Sequence, residues 1–152
     1  MLFRSIGLEK DFLAVLGYPL GEFDYAGKSN LKSFEDAIRQ LQSRFGFKYF
    51  ASTLRMNQSA SYNELAGFIS DGKQFHLTKK YDIHIVDRVG SGDSFASGLI
   101  YGLISGKSMQ DAAEFGVAAS ALKHTFPGDA NYATIHEIEQ LIHSGVGANV
   151  QR

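Results

Sequence analysis

The sequence predicts an α/β layered domain with an incomplete sheet, and three observations carry that expectation. A helix-period segment, "SFEDAIRQLQSRF" (33–45), runs straight into an aromatic and β-branched segment, "FKYFASTL" (47–54). The pair Asp71-Gly72 then separates two alternating segments, the mark of a hairpin. From residue 94 onward the apolar spacing changes to the helical repeat of about 3.6 residues. The order is helix, strand, hairpin, strand, glycine loop and three helices, which suits helices layered on a sheet. Two main strands and a hairpin are few for a complete doubly wound sheet, so the chain is expected to form part of a larger fold.

Each element has its own local reason. Residues 9–16 read as a short helix stopped by Gly17 and Pro19, followed by a loop with Gly21, Gly27 and Asn30. In the next helix Ser33 and Asp36 have capping-box spacing, while Phe34, Ala37, Ile38, Leu41 and Phe45 share a face and Gly46 ends it. Segment 47–54 is expected inside the sheet, its aromatics as core, and the hairpin leads to a strand over 82–87. Helices follow over 94–104, from a Ser108–Asp111 cap to about His124, and from a Thr134–Glu137 cap. The last has Ile135, Ile138, Leu141 and Ile142 on one face before Gly145. With no repeat, low-complexity tract or linker, residues 1–152 read as a single domain.

Composition narrows the function classes. A chain of 152 residues can bury roughly 70% of its unfolded surface and hold a real core. Lys and Arg total 15 against 16 for Asp and Glu, so no broad field draws it to nucleic acid or an acidic membrane. The absence of cysteine excludes disulfides and thiolate metal sites and suits a reducing cytoplasm. Glu9, Lys10 and Asp11 come too early for a signal peptide, and no run approaches the roughly 20 apolar residues of a membrane span. A soluble, cytoplasmic protein is expected.

Chemistry concentrates in "DRVGSGDSFASGLIYGL" (87–103). Gly90 and Gly92 allow backbone angles closed to other residues, and Asp93 stands where the helix over 94–104 should be capped. A dinucleotide fingerprint fails because Phe95 occupies the third glycine's place. A P-loop fails because "GLISGKS" (102–108) is one residue short and lies at a helix end, which makes Lys107 a solvated charge. Two readings stay open from the residues themselves. The commoner is a capped turn. The other is an anion site in which the amides of Ser91, Gly92 and Asp93 face a transferring phosphoryl group, with Asp93 taking a proton from the attacking hydroxyl. Asp71 reads as a turn residue. His124 has no metal-ligand spacing and reads as a helix C-terminal charge or a loop hydrogen-bonder.

"VDRVGSGDSFASGLIYGL" resembles the second signature of the PfkB, or ribokinase-like, sugar kinases, with Asp87, Gly90, Ser91, Gly92, Asp93, Ala96 and Gly98 fitting the pattern. Arg88 departs from the usual Thr or Pro, and "DRVG" between "YDIHIVD" and "AASALKHTFPGDAN" resembles the 2-keto-3-deoxygluconate kinase branch. The resemblance covers the C-terminal half of such a kinase and implies the nucleotide-binding and catalytic half of a ribokinase-like three-layer fold. It implies Asp93 as general base and Gly90, Ser91 and Gly92 as the anion hole for the γ-phosphate. Thr53, Arg55 and Asn57, at the end of segment 47–54 and in the loop after it, would border the nucleotide, although Arg55 stands where the family has glycine. Gly116 and Ser120, in the small-residue run 116–120, would line the adenine pocket. "LKHTFPGDAN" (122–131) would close the nucleotide site and help hold a monovalent cation such as K⁺ through its carbonyls, with Asp87 nearby. The implied ligands are ATP with Mg²⁺ and a small sugar acid. The expected protein partner is a second copy in a homo-oligomer or a complementary N-terminal half carrying the sugar-binding residues; a non-catalytic nucleotide-binding module or structural remnant is the alternative.

Overall fold

The structure, a computed structural model, describes residues 31–57 and 62–144. The expected helix at 9–16, the loop through Gly21, Gly27 and Asn30, and the stop at Gly145 lie outside the described residues. Helix α1 spans Leu31–Phe45, so Ser33, expected at the cap, falls inside the first turn. Leu31 and Lys32 are good helix formers and extend the turn upstream of the cap expected from spacing. At the other end Gly46 adopts φ 66° and its N–H donates to Gln42 O at 2.8 Å, the left-handed stop that glycine permits.

Strands β1 (Phe50–Asn57), β2 (Tyr62–Ser70), β3 (Phe75–Leu77) and β4 (Tyr81–His84) form one antiparallel sheet among the described residues. The central lane is β2, flanked by β1 on one side and by β3 and β4 in succession on the other. The segment expected inside the sheet is therefore at the end of the strand order, and it runs three residues further, to Asn57. The central position shows in β2's own burial: every residue from Leu65 to Ser70 is buried, because helices cover both faces. Ala66 and Phe68 meet Ile38 and Leu41 of α1, whereas Leu65 and Ile69 face the larger core on the opposite side.

A bulge separates β3 from β4. Phe68 pairs with Leu77 and Leu65 with Tyr81, so Ala66 and Gly67 oppose three residues, 78–80. Thr78 closes the gap: its N–H donates to Gly67 O and its Oγ1 accepts from Gly67 N, both at 2.9 Å. The Asp71-Gly72 hairpin turn is as expected, with Asp71 Oδ1 accepting from the amides of Lys73 and Gln74. By contrast β4 stops at His84 and does not reach 87. The amides of Val86 and Asp87 leave the sheet to donate to His124 O at 2.8 and 3.2 Å.

The second face of the sheet carries α2 (Ser91–Ile104), α3 (Met109–Lys123) and α4 (Ile135–His143), which makes three layers, α/β/α. Ser108 caps α3 and Thr134 caps α4 with a full capping box, as the spacing predicts. Ile138 and Leu141 are buried, but Ile135 at the first turn is 48% exposed. Helices α2 and α3 touch through glycine: a Cβ on Gly116 would lie 2.9 Å from Phe95 O. Buried Glu114 of α3 accepts from Tyr81 OH and from Lys79 N in the bulge, tying helix to sheet. Lys107 is not a free solvated charge, since its Nζ lies 3.4 Å from Glu139 Oε1 and over the Phe115 ring. Of the expected core aromatics Phe50 is fully buried, but Phe45 is 40% exposed and stacks on Phe47.

Candidate active site

The start of α2 is set by one residue. Gly90 adopts φ 76° and a Cβ there would sit 2.0 Å from Asp129 O, so any side chain meets both a left-handed backbone and a clash. Helix hydrogen bonding opens immediately after it, with Ser94 N donating to Gly90 O at 2.9 Å. The helix thus begins at Ser91, three residues earlier than expected, with Gly90 in the cap position and no side-chain cap bond. Asp93 is the third residue of the helix, which overturns the capped-turn reading of its carboxylate. Gly92 has no left-handed angle; its Cβ position faces open space. Freedom of backbone is needed at Gly90, and only room is found at Gly92.

The amides of Gly92 and Asp93 precede the first helical bond and have no acceptor among the described residues. They point outward with the positive end of the helix dipole. The exposed Asp93 borders a cleft of about 390 Å³ between α2, α3, α4 and the segment 129–133. Ser97 and Asn131 offer polar groups to it, while Tyr101, Phe115 and Ala119 supply apolar wall. The N-terminal end of α2 and the Asp93 carboxylate therefore border one opening.

The segment before α2 is braced from beneath. Asp87 Oδ1 accepts from Val89 N at 3.0 Å and Oδ2 from Gly128 N at 2.8 Å, tying the 86–90 loop to the loop after α3. Those two amide bonds hold its carboxyl below the usual carboxylate range. Ser91 Oγ donates to Arg88 O, and Ser120 Oγ donates to Ser91 O at 2.9 Å. Fully buried His124 donates from Nδ1 to Ser120 O at 2.7 Å and accepts at Nε2 from Arg55 Nη2 at 3.2 Å. Burial depresses its pKa to about 4, with Arg55 and Lys123 adding to the effect, so the ring is neutral at pH 7. Burial first, then the charge of Arg88, also lowers the Arg55 pKa.

The residues expected from sequence divide accordingly. Gly90, Ser91, Gly92 and Asp93 lie together at the α2 N-terminus. Arg55 reaches that place indirectly, through His124 and Ser120. Thr53 pairs with Gly67 inside β1, not at a strand end, and Asn57 closes β1 opposite Asn63. Gly116 packs against α2, and Ser120 is buried beneath Ser91; in the small-residue run it is Ala119 that faces the cleft. Sequence reasoning missed Ser97 and reached Asn131 only as the last residue of the closing segment 122–131. Ser97 follows Asp93 by one helical turn, a spacing that could have found it; Asn131 carries no such signal. His124 is a neutral hydrogen-bonder, not a helix-end charge.

Residues 55–135, more than half of the chain, match the pfkB family of carbohydrate kinases. The chain belongs to this family. The 2-dehydro-3-deoxygluconokinase of Thermotoga maritima superposes with a TM-score of 0.79 and 41% identity over 92% of this chain and 40% of that one. The 5-dehydro-2-deoxygluconokinase of Bacillus subtilis is 31% identical over 80% of this chain and 35% of its own length. The 2-dehydro-3-deoxygluconokinase of the same organism is 49% identical over 45 residues, 30% of this chain and 14% of its own. This pfkB chain thus spans well under half the length of these relatives. No described helix is long and apolar enough to cross a membrane. No group of three or more His, Asp or Glu among the described residues is placed to hold a metal ion.

Proposed function

We propose that this chain is the nucleotide-binding and catalytic half of an ATP-dependent sugar-acid kinase. The observation that supports it best is the pairing of an open helix N-terminus with the Asp93 carboxylate on one cleft. In this reading the sugar-acid hydroxyl gives its proton to an Asp93 carboxylate oxygen as its own oxygen bonds to the γ-phosphorus. The bond from that phosphorus to the bridging oxygen breaks, and ADP leaves with the electron pair. The amides of Gly92 and Asp93 stabilise charge on the equatorial oxygens, and Gly90 sets their direction; the Ser91 amide, expected beside them, is turned to Arg88 O. Mg²⁺ carried in with the nucleotide would supply neutralisation of the phosphate charge. Arg55, half-buried beside Arg88, adds positive potential behind the phosphates.

The substrate is a small sugar acid of the 2-keto-3-deoxygluconate type, by likeness to the relatives' activities. The sugar-binding surface belongs to a complementary N-terminal half, and positioning both reactants accounts for much of such catalysis. The chain by itself then binds nucleotide and turns over negligibly. Calorimetric titration with Mg·ATP tests this: saturable binding is expected in the parent and in Asp93→Asn, and its loss in Gly92→Val, whose side chain fills the open approach. Undetectable binding by the parent, or equal binding by Gly92→Val, would overturn the reading. In an assembled enzyme Asp93→Asn should slow transfer by roughly 10² to 10⁴; a rate within about threefold of the parent, under 1 kcal/mol in barrier, refutes Asp93 as base.

A further inference from the structure

Lys123 is fully buried, yet the functional reading gives it no task. It is the last residue of α3, and its Nζ donates to Phe126 O at 3.1 Å in the loop that follows. Its charge is felt by Asp87, whose carboxylate joins this loop to the one preceding α2. An ammonium taken wholly out of water is costly unless charge and dipole receive it. Here Phe126 O and the carbonyl end of α3 receive it directly, and the Asp87 charge does so at longer range.

Resemblance placed a monovalent cation among the carbonyls of residues 122–131. Several of the oxygens there are already engaged. Phe126 O is taken by the ammonium, His124 O by the amides of Val86 and Asp87, and both Asp87 oxygens by the amides of Val89 and Gly128. K⁺ binds by exchanging its water shell for several such oxygens at once, and an ammonium is close to K⁺ in size and equal in charge. The buried Lys123 ammonium already stands among these oxygens and repels a second cation, so the residues here do not fit a bound K⁺.

We propose that Lys123 is a built-in cation that replaces a bound monovalent ion at the joint between the loop before α2 and the loop after α3. The joint holds Gly90 against Asp129 O, so the ammonium acts on the α2 N-terminus by positioning it. The proposal rests on the kinase reading only for why a cation is wanted at this place. Its test reads stability in different salts and not nucleotide binding, so either idea can fail without the other.

The 152-residue chain is melted in choline chloride and in KCl at matched ionic strength. The parent should melt at the same temperature in both, because its cation is covalently present. Lys123→Ala, which empties the space, should melt lower in choline and regain stability saturably as K⁺ replaces choline, as ligand linkage requires. Lys123→Gln, which keeps a donor for Phe126 O but no charge, should show the same dependence with smaller amplitude. A saturable K⁺-specific rise in the parent overturns the proposal, and so does failure of both variants to respond to K⁺.

Discussion

Gly90 and Gly92 look alike in sequence and occupy different physical situations, which makes a paired substitution decisive. Gly90→Ala places a Cβ on a residue at φ 76° and drives it to 2.0 Å from a backbone carbonyl that the Asp87–Gly128 bond holds in place. The left-handed backbone costs about 1–2 kcal/mol, and forcing an atom into filled space costs typically another 1–3 kcal/mol. The total is about 2–5 kcal/mol, a large part of the roughly 5–15 kcal/mol that stabilises a domain. Gly92→Ala meets nothing within 4 Å and keeps a helical backbone. It should be neutral or stabilising by up to about 1 kcal/mol, the usual preference of a helix for Ala over Gly.

Thermal melting and urea titration of both variants measure the contrast. Gly90→Ala should melt roughly 5–20 °C below the parent, at the 2–4 °C per kcal/mol typical of this chain length. Gly92→Ala should match or exceed it. Function does not follow stability at Gly92: Gly92→Ala, although as stable as the parent, should bind Mg·ATP more weakly than the parent, because its methyl group stands on the phosphate side of the helix end. Equal melting temperatures for the two variants would refute the assignment of backbone strain to Gly90 and open approach to Gly92.

Two other expectations concern the frame around the site. The buried neutral ring of His124 has a folded pKa of about 4 against 6.5, so the unfolded chain binds the extra proton as pH falls between those values. Stability should be full above pH 6.5 and decline by about 3 kcal/mol toward pH 4; His124→Gln should flatten that part of the pH profile of the urea midpoint, and an unchanged slope would refute the role. Tyr81→Phe removes one of the two donors to buried Glu114 and should cost about 1–3 kcal/mol in urea titration, with no loss if the contact contributes nothing.

What could be read in the sequence is what neighbouring residues decide together. Ser108 with Asp111, Thr134 with Glu137, and Asp71 with Gly72 each complete a hydrogen-bonded motif within four residues, and all three appear as expected. The cluster Gly90 to Asp93 was legible as one site because the chain places those residues side by side. The end of β4 was not, since His84 is followed by amides that turn to a carbonyl about forty residues later. Nor was the start of α2, where Asp93 has the chemistry of a cap and the cap position belongs to Gly90 through its contact with Asp129. Lys123 and His124 sit where a helix-end charge is ordinary, and only the tertiary packing around them turns one into a buried ammonium and the other into a neutral ring. Arg55 has no sequence neighbour that points to His124, its hydrogen-bond partner.

These long-range connections converge on one short stretch of chain. Within the last turn or so of α3, Ser120 holds the carbonyl of Ser91, Lys123 holds the carbonyl of Phe126, and His124 holds Arg55 with its ring and the Val86 and Asp87 amides with its backbone. The C-terminal end of one helix thereby fixes the N-terminal end of another, with Glu114 and Gly116 earlier in α3 locking the same helix to the sheet and to α2. A substitution in this stretch reaches the candidate anion site without touching the cleft. That separation has a kinetic signature: changes at Gly92 act on the approach of phosphate, whereas changes at Ser120 or His124 move the amides themselves. The latter should lower nucleotide affinity and assembled-enzyme turnover together, while Asp93→Asn lowers turnover alone.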